Sequence, residues 1–135
     1  MAEPPGDRIL VTGALGQIGT DLVEALRARH GTDAVIATDA REVPEHLLLE
    51  DGPFRLLSVL DGDGMDAVVR EERVGTIYHL AAILSATGEK EPELCQRVNV
   101  GGTVCVLETA RKRGLRVFAP SSIAVFGPDC PSIAP

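Results

Sequence analysis

Apolar and polar positions along this chain fall into blocks whose period changes in a regular order. Arg8-Ile9-Leu10-Val11-Thr12 is a short, nearly continuous apolar run ending at Gly13, the pattern of a strand buried on both faces. From Gln17 to Arg29 the apolar residues recur at Ile18, Leu22, Ala25 and Leu26, with Val23 beside them. That i, i+4, i+7, i+8 stripe predicts an amphipathic helix, and Gly31 supplies its stop. Ala34 to Thr38 predicts a second strand ending at Asp39, and Phe54 to Leu60 a third. A short helix around Met65 to Arg73 leads to a fourth strand, Thr76 to Leu80. Pro92 to Arg113 predicts one long helix, with Pro92 tolerated in the first turn and Gly114 past the end. Leu115 to Phe118 makes a fifth strand. Strands alternating with helices predict an α/β fold with a parallel sheet and right-handed crossovers. The stretch from Ala40 to Pro53 is the least periodic, and its Leu47-Leu48-Leu49 cluster fits a lid, a helical turn or a packing plug.

Composition narrows the functional classes. The 135 residues suit one domain, expected over residues 8–135 behind a flexible tail at 1–7. A net charge of −7 and 3% aromatic residues without tryptophan argue against a phosphate-tracking nucleic-acid binder and against base-stacking platforms. The Arg111-Lys112-Arg113 run closes a helix, where it compensates the dipole. No apolar run approaches the roughly 18 residues that cross a bilayer, and residues 1–7 lack the charged and apolar regions of a secretory signal. Cys95, Cys105 and Cys130 show no metal-ligand spacing. Their odd number fits reduced thiols in a cytoplasmic setting, with no membrane partner.

The chemistry begins at Gly13-Ala14-Leu15-Gly16-Gln17-Ile18-Gly19, between the first strand and the first helix. A glycine-rich turn there gives backbone freedom, close approach of a pyrophosphate and tight helix–strand packing, and the helix N-terminus offers unpaired N–H groups to the phosphates. No lysine follows the glycines, so this is not a P-loop. Asp39 ends the second strand twenty positions after Gly19, where a carboxylate accepts from both adenosine ribose hydroxyls and repels a 2′-phosphate. That favours NAD over NADP. Arg41 either lies over the adenine or softens that discrimination. His79, inside an apolar strand, is read as a core or cofactor-side histidine and not as a base.

These residues resemble the extended short-chain dehydrogenase/reductase family, in a Rossmann doubly wound parallel sheet truncated after about five strands. The marks are the three glycines, His79-Leu80-Ala81-Ala82, Asn99 in the long helix, and Ser121-Ser122-x-x-Val125-Phe126-Gly127. Within the family, Gly16-Gln17-Ile18-Gly19-Thr20, Asp51-Gly52-Pro53-Phe54, Leu84 to Lys90 and Pro120 to Pro128 are most similar to the short-chain type of L-threonine 3-dehydrogenase. The resemblance implies that Ser58, Val59 and Leu60, closing strand three, border the adenine. It implies that Leu80, Ala81 and Ala82 line the nicotinamide ribose, with Asn99 on the cofactor side. Ser122 would hold the substrate oxygen, with Ser85, Thr87 and Ser121 near the substrate's polar groups.

The family's acid/base pair is a tyrosine with a lysine four positions later, the cation stabilising the phenolate. Here the one tyrosine, Tyr78, is followed four on by Ala82, and the lysines are Lys90 and Lys112. Ser122 alone is neither base nor acid near neutral pH. The expectation is therefore the N-terminal part of an NAD-dependent oxidoreductase, inactive by itself. Strand five would be an exposed edge, and the long helix would keep its apolar side partly bare. The parent's substrate would be an amino acid or, in the rival reading, a nucleotide sugar handled by an epimerase or dehydratase, and the parent itself a homodimer. A reading of another class makes the chain a non-catalytic NAD-binding module or an inactive remnant.

Overall fold

The computed structural model describes residues 6–122 and 125–129. Its five parallel strands are β1 (Arg8–Thr12), β2 (Val35–Asp39), β3 (Phe54–Leu56), β4 (Val74–His79) and β5 (Arg116–Phe118). They lie in the order β3-β2-β1-β4-β5, the doubly wound arrangement in which the chain reverses direction at β1. Thr12 pairs in register with both Thr38 of β2 and His79 of β4, so the three central strands finish at one level.

Side chains alternate faces along each strand, and the core divides accordingly. Ile9, Val11, Val35 and Ala37 pack with Val23, Leu26 and Leu48 on one face, beneath α1 (Gln17–His30) and the single turn α2 (Leu47–Glu50). Leu10, Ile36 and Ile77 pack with Met65, Val69 and Val106 on the other, beneath α3 (Gly62–Glu71) and the long helix. Each such aliphatic side chain stabilises the fold by roughly 1.5–3 kcal/mol when fully buried. Both faces are covered, which is why the strands read as apolar runs and not as alternation.

Three features depart from the sequence expectation. The buried stripe of α1 is Gly19, Val23, Leu26 and Arg27, one position on from the expected Ile18, Leu22, Ala25 and Leu26. The spacing is right and the phase is wrong, because Gly19 must face the turn and rotates Ile18 into solvent. Strand three ends at Leu56, so Ser58, Val59 and Leu60 do not close it. The Leu57 amide still donates to the Asp39 carbonyl at 2.9 Å, and the chain then folds over at Ser58, whose carbonyl accepts from the Asp61 amide. Asp61 caps α3 through the Gly64 amide at 2.9 Å, starting that helix three residues before Met65.

The long helix is continuous but not uniform. It runs as α5 (Pro92–Gln96), a π-helical stretch over Arg97–Gly101, and α6 (Gly102–Arg113). Gly114 ends it in a left-handed turn with φ 69°, and the Leu115 amide bonds back to the Ala110 carbonyl, so β5 begins at Arg116. Val100, Val104 and Leu107 are half exposed or more, the bare apolar side expected of this helix. A further helix, α4 (Ser85–Lys90), was not anticipated. Among the described residues no helix is long and apolar enough to cross a membrane.

Within 40–53 the helical turn and the packing plug are both present, and they are the same residues. Leu48 is 1% exposed while Leu47 points outward. Arg27, itself buried, donates to the Leu48 carbonyl at 3.3 Å and to the Pro53 carbonyl at 2.8 Å, binding the segment to α1. At the amino end of the sheet, Glu72 pairs with both Arg8 and Arg55. Residues 1–5 of the expected tail and Cys130 lie outside the described residues, whereas Gly6 already lies against Arg73 and Gly75.

Candidate functional site

The carboxyl ends of β1, β2 and β4 meet at the point where the strand order reverses, the place where doubly wound sheets form their ligand crevice. Gly13 turns out of β1 with φ 67°, and a Cβ there would lie 2.7 Å from the Ala81 nitrogen. A Cβ on Gly19 would overlap the Gly13 carbonyl and lie 2.8 Å from the Ala14 Cα. Gly16 is different: its Cβ would meet only the Gly13 carbonyl, at 3.3 Å. Two of the glycines therefore hold the turn closed against α1 and β4, and the third leaves its outer side open.

The amides of this turn divide into two sets. Ala14 donates to the Thr38 carbonyl at 3.0 Å and Gly16 to the Gly13 carbonyl at 3.1 Å. Leu15 donates to Asp39 Oδ2 at 3.1 Å. The amides of Gln17, Ile18 and Gly19, the first of α1, have no acceptor among the described residues. Gly16 supplies no side-chain cap, and the first turn carries no acidic residue. The helix thus presents unpaired donors and a positive dipole end with no acidic residue of its own.

Asp39 lies beside this end, 6% exposed. Besides Leu15, its carboxylate accepts from the Arg41 amide at 3.0 Å, from Arg41 Nε at 3.1 Å and from Arg41 Nη2 at 3.4 Å. Burial pushes the carboxyl up, but the hydrogen bonds from Arg41 and Leu15 together with the guanidinium charge outweigh it and hold the group below the ordinary carboxylate range. Asp39 is ionised at neutral pH.

The opposite wall is a chain of hydrogen bonds. Thr103 donates to the Asn99 carbonyl at 2.7 Å, so its oxygen accepts from His79 Nε2 at 3.0 Å. That fixes the tautomer: His79 Nδ1 accepts from the Thr12 hydroxyl at 2.9 Å. Thr12 Oγ1 in turn accepts the amides of Leu80 at 3.2 Å and Ala81 at 3.3 Å. Burial lowers the His79 pKa, in keeping with a neutral ring whose two nitrogens are both engaged. Its place is in the core under the crevice. Asn99, within the π-helical stretch, accepts from the Ile83 amide at 2.7 Å and donates to the Ile83 carbonyl at 3.0 Å. Its amide clamps the strand-four loop, and its place near the crevice comes through that loop.

The other expected residues are more dispersed. Val59 is buried in the core, and a Cβ on Gly102 would come within 2.5 Å of its Cγ2. Ser58 Oγ accepts from the Leu60 amide at 3.2 Å, closing the bend after β3. Ala82 and Thr87 are exposed; Ser85 begins α4, and its side chain lies outside the described residues. Ser121 and Ser122 are exposed past β5, where the Ser122 carbonyl accepts from the Val125 amide at 3.2 Å. Thr12, Thr103 and Arg27 were missed. The one available signal was the phase of α1: taking Gly19 as its inward marker places Arg27 on the buried side.

The NAD-dependent epimerase/dehydratase family model matches residues 9–135. The chain belongs to that family. An uncharacterized epimerase/dehydratase of Staphylococcus saprophyticus is 48% identical over 126 residues, which is 93% of this chain and 39% of that protein. Among solved structures, a monomeric L-threonine 3-dehydrogenase from a metagenome is 50% identical with a TM-score of 0.83, over 91% of this chain and 39% of its own. L-threonine 3-dehydrogenase from Trypanosoma brucei is 47% identical with a TM-score of 0.86, over the same shares. UDP-glucose 4-epimerase from Thermotoga maritima is 28% identical with a TM-score of 0.73, over 85% of this chain and 38% of its own. The chain thus spans about two fifths of the length of its relatives, and within them it corresponds to the NAD-binding, Rossmann-type part.

Proposed function

We propose that this chain is the cofactor-holding part of an NAD-dependent L-threonine 3-dehydrogenase. The observation that carries the cofactor reading is the juxtaposition of unpaired α1 amides with the ionised Asp39, the two joined by the Leu15–Asp39 hydrogen bond at 3.1 Å. A dinucleotide carries the matching groups: a pyrophosphate for the amides of Gln17, Ile18 and Gly19, and a ribose diol for the carboxylate. Leu80, Ala81 and Ala82 form the wall toward the nicotinamide ribose, and Leu60 with Ser58 borders the adenine end. NAD supplies the hydride acceptor.

Threonine is favoured over a nucleotide sugar by the gap between about one half identity to the threonine dehydrogenases and 28% to the epimerase. Ser122, Ser121, Ser85 and Thr87 are the residues proposed to meet the substrate, Ser122 holding its hydroxyl. The proton leaving that hydroxyl needs a base, and these residues contain no tyrosine–lysine pair to act as one, so this chain alone binds NAD without turnover. Isothermal calorimetry on wild type and Asp39→Ala tests the cofactor part, with NAD affinity falling tenfold or more in the variant as a charge-assisted pair of hydrogen bonds is lost. Unchanged affinity refutes it. A chain of the relatives' full length carrying this sequence, assayed with L-threonine and with nucleotide sugars, tests the substrate; turnover of sugars alone refutes threonine.

A further inference from the structure

We propose that His46 is a positioning residue of the dinucleotide site, aiming two main-chain amides of the glycine turn through the hydroxyl of Thr20. The inference rests on the cofactor reading above and extends it to the segment between β2 and β3. His46 stands just before α2 and caps it, its Nδ1 accepting from the Leu48 amide at 3.3 Å. An amide N–H can only donate, so in the neutral ring the proton sits on Nε2. Nε2 lies 3.5 Å from the Thr20 hydroxyl oxygen and is the donor of that contact. Thr20 keeps its own proton for the turn, with the Gly16 carbonyl at 2.9 Å and the Ala14 carbonyl at 3.3 Å. The support beneath His46 is firm: Leu48 is buried in the core, and Arg27 of α1 donates to the Leu48 and Pro53 carbonyls.

A peptide unit is planar and trans, so a bond to its carbonyl also sets the direction of the N–H on its other side. The Gly16 carbonyl shares its plane with the Gln17 amide, the first of the unpaired α1 donors. The Ala14 carbonyl shares its plane with the Leu15 amide, which donates to Asp39 Oδ2 at 3.1 Å. One hydroxyl therefore steers both the donor offered to a pyrophosphate and the donor that joins the turn to the carboxylate. A hydroxyl proton rotates to suit its surroundings. With Nε2–H on the Thr20 oxygen, that proton is turned away from the imidazole and toward the two carbonyls. Without the imidazole it is free to swing off them, and the two peptide planes lose a common restraint.

The two ring nitrogens are separable by substitution. An asparagine oxygen reaches the place of Nδ1 and is itself a preferred helix cap, whereas a glutamine amide nitrogen reaches the place of Nε2. The test is calorimetric titration with NAD beside urea unfolding. His46→Asn keeps the wild-type unfolding midpoint yet binds NAD about three- to tenfold more weakly, the change expected of one neutral hydrogen bond. His46→Gln restores the donor and not the cap, so it unfolds earlier yet binds NAD within about twofold of wild type. In a Thr20→Val background His46→Asn has no further effect on NAD, and in Thr20→Ser it acts as in wild type. NAD affinity that follows the unfolding midpoint across these variants makes His46 a support of the fold alone and overturns the proposal. Wild-type affinity in His46→Asn overturns it, and so does an undiminished loss in the Thr20→Val background. Wild type binding no NAD refutes the dinucleotide site itself, and this inference with it.

Discussion

The three glycines of the turn make separable demands, and alanine at each distinguishes them. At Gly13 the substitution forces a left-handed backbone, φ 67°, costing roughly 1–2 kcal/mol. It also drives a methyl to 2.7 Å from the Ala81 nitrogen, an overpacking worth roughly 1–3 kcal/mol. Gly13→Ala is expected to lose about 2–5 kcal/mol on these two counts. At Gly19 the methyl overlaps the Gly13 carbonyl and sits 2.8 Å from the Ala14 Cα, again a loss of about 1–3 kcal/mol. Alanine's better helix propensity offsets about 0.5–1 kcal/mol of it. At Gly16 the backbone is ordinary, φ −75°, and the methyl meets only the Gly13 carbonyl at 3.3 Å, so the loss is the N-cap preference of glycine over alanine, about 1 kcal/mol or less. Urea unfolding followed by far-ultraviolet circular dichroism should show the largest loss at Gly13 and a loss of about 1 kcal/mol or less at Gly16. NAD calorimetry should still show weakened binding in Gly16→Ala, since its methyl lies on the side a pyrophosphate approaches. Gly16→Ala unfolding as early as Gly13→Ala, or binding NAD as wild type does, would refute the steric assignment.

Leu48→Ala should lower stability by about 2–5 kcal/mol, because Leu48 is 1% exposed in the core beneath α1; a melting temperature within a degree of wild type contradicts the plug. Asp66 bridges α3 to α6, and hydrogen bonding from Arg113, with Lys112 nearby, brings its pKa down to about 2. Its folded pKa lies below the unfolded value, so the contribution is present above about pH 4 and disappears as pH falls toward 2. Asp66→Asn should therefore cost up to about 1 kcal/mol at pH 7, the scale of a solvent-accessible pair, and match wild type in urea unfolding at pH 2. His79 is neutral when folded because burial depresses its pKa, so acid below about pH 6.5 favours the unfolded state, which takes up the proton first. His79→Gln should flatten the stability–pH curve between pH 6.5 and 5; an unaltered slope contradicts the buried neutral ring.

Most of the fold was legible because doubly wound sheets write themselves plainly. Runs such as Ile9-Leu10-Val11 and Val35-Ile36-Ala37 have both faces covered, and apolar residues at every position announce it. Glycine marks the chain reversals, as at Gly31 and Gly114. What was misread depended on neighbours distant in sequence. The phase of α1 follows from Gly19 meeting the Gly13 carbonyl, a contact that outranks the exposed Ile18. Strand three stops at Leu56 because Ser58 and Asp61 bond their own backbone, and the apolar residues beyond it pack against α6 instead. Asn99 was placed on the cofactor by family likeness, whereas its side chain holds Ile83. Hydrogen-bonded roles of this kind leave no period in a sequence.

The two helix starts beside the central strands are built on opposite rules, and the contrast locates function better than any single residue does. At the amino end Glu72 is matched by Arg8 and Arg55, and at the carboxyl end α3 starts on a side-chain cap from Asp61. At the carboxyl end α1 begins on a glycine with no cap and no acid in its first turn. An aspartate at a helix start, with its favourable charge, is worth about 0.3–1 kcal/mol, so the uncapped end forgoes stability that one substitution would supply. A cap's oxygen would also occupy the amides that an incoming phosphate needs. Asp39, beside the same helix start, is almost inaccessible itself and is partnered by the exposed side chain of Arg41. On the proposed function, stability is withheld at α1 where the cofactor would supply the missing partner, whereas at α3 and around Glu72 the chain supplies the partners itself.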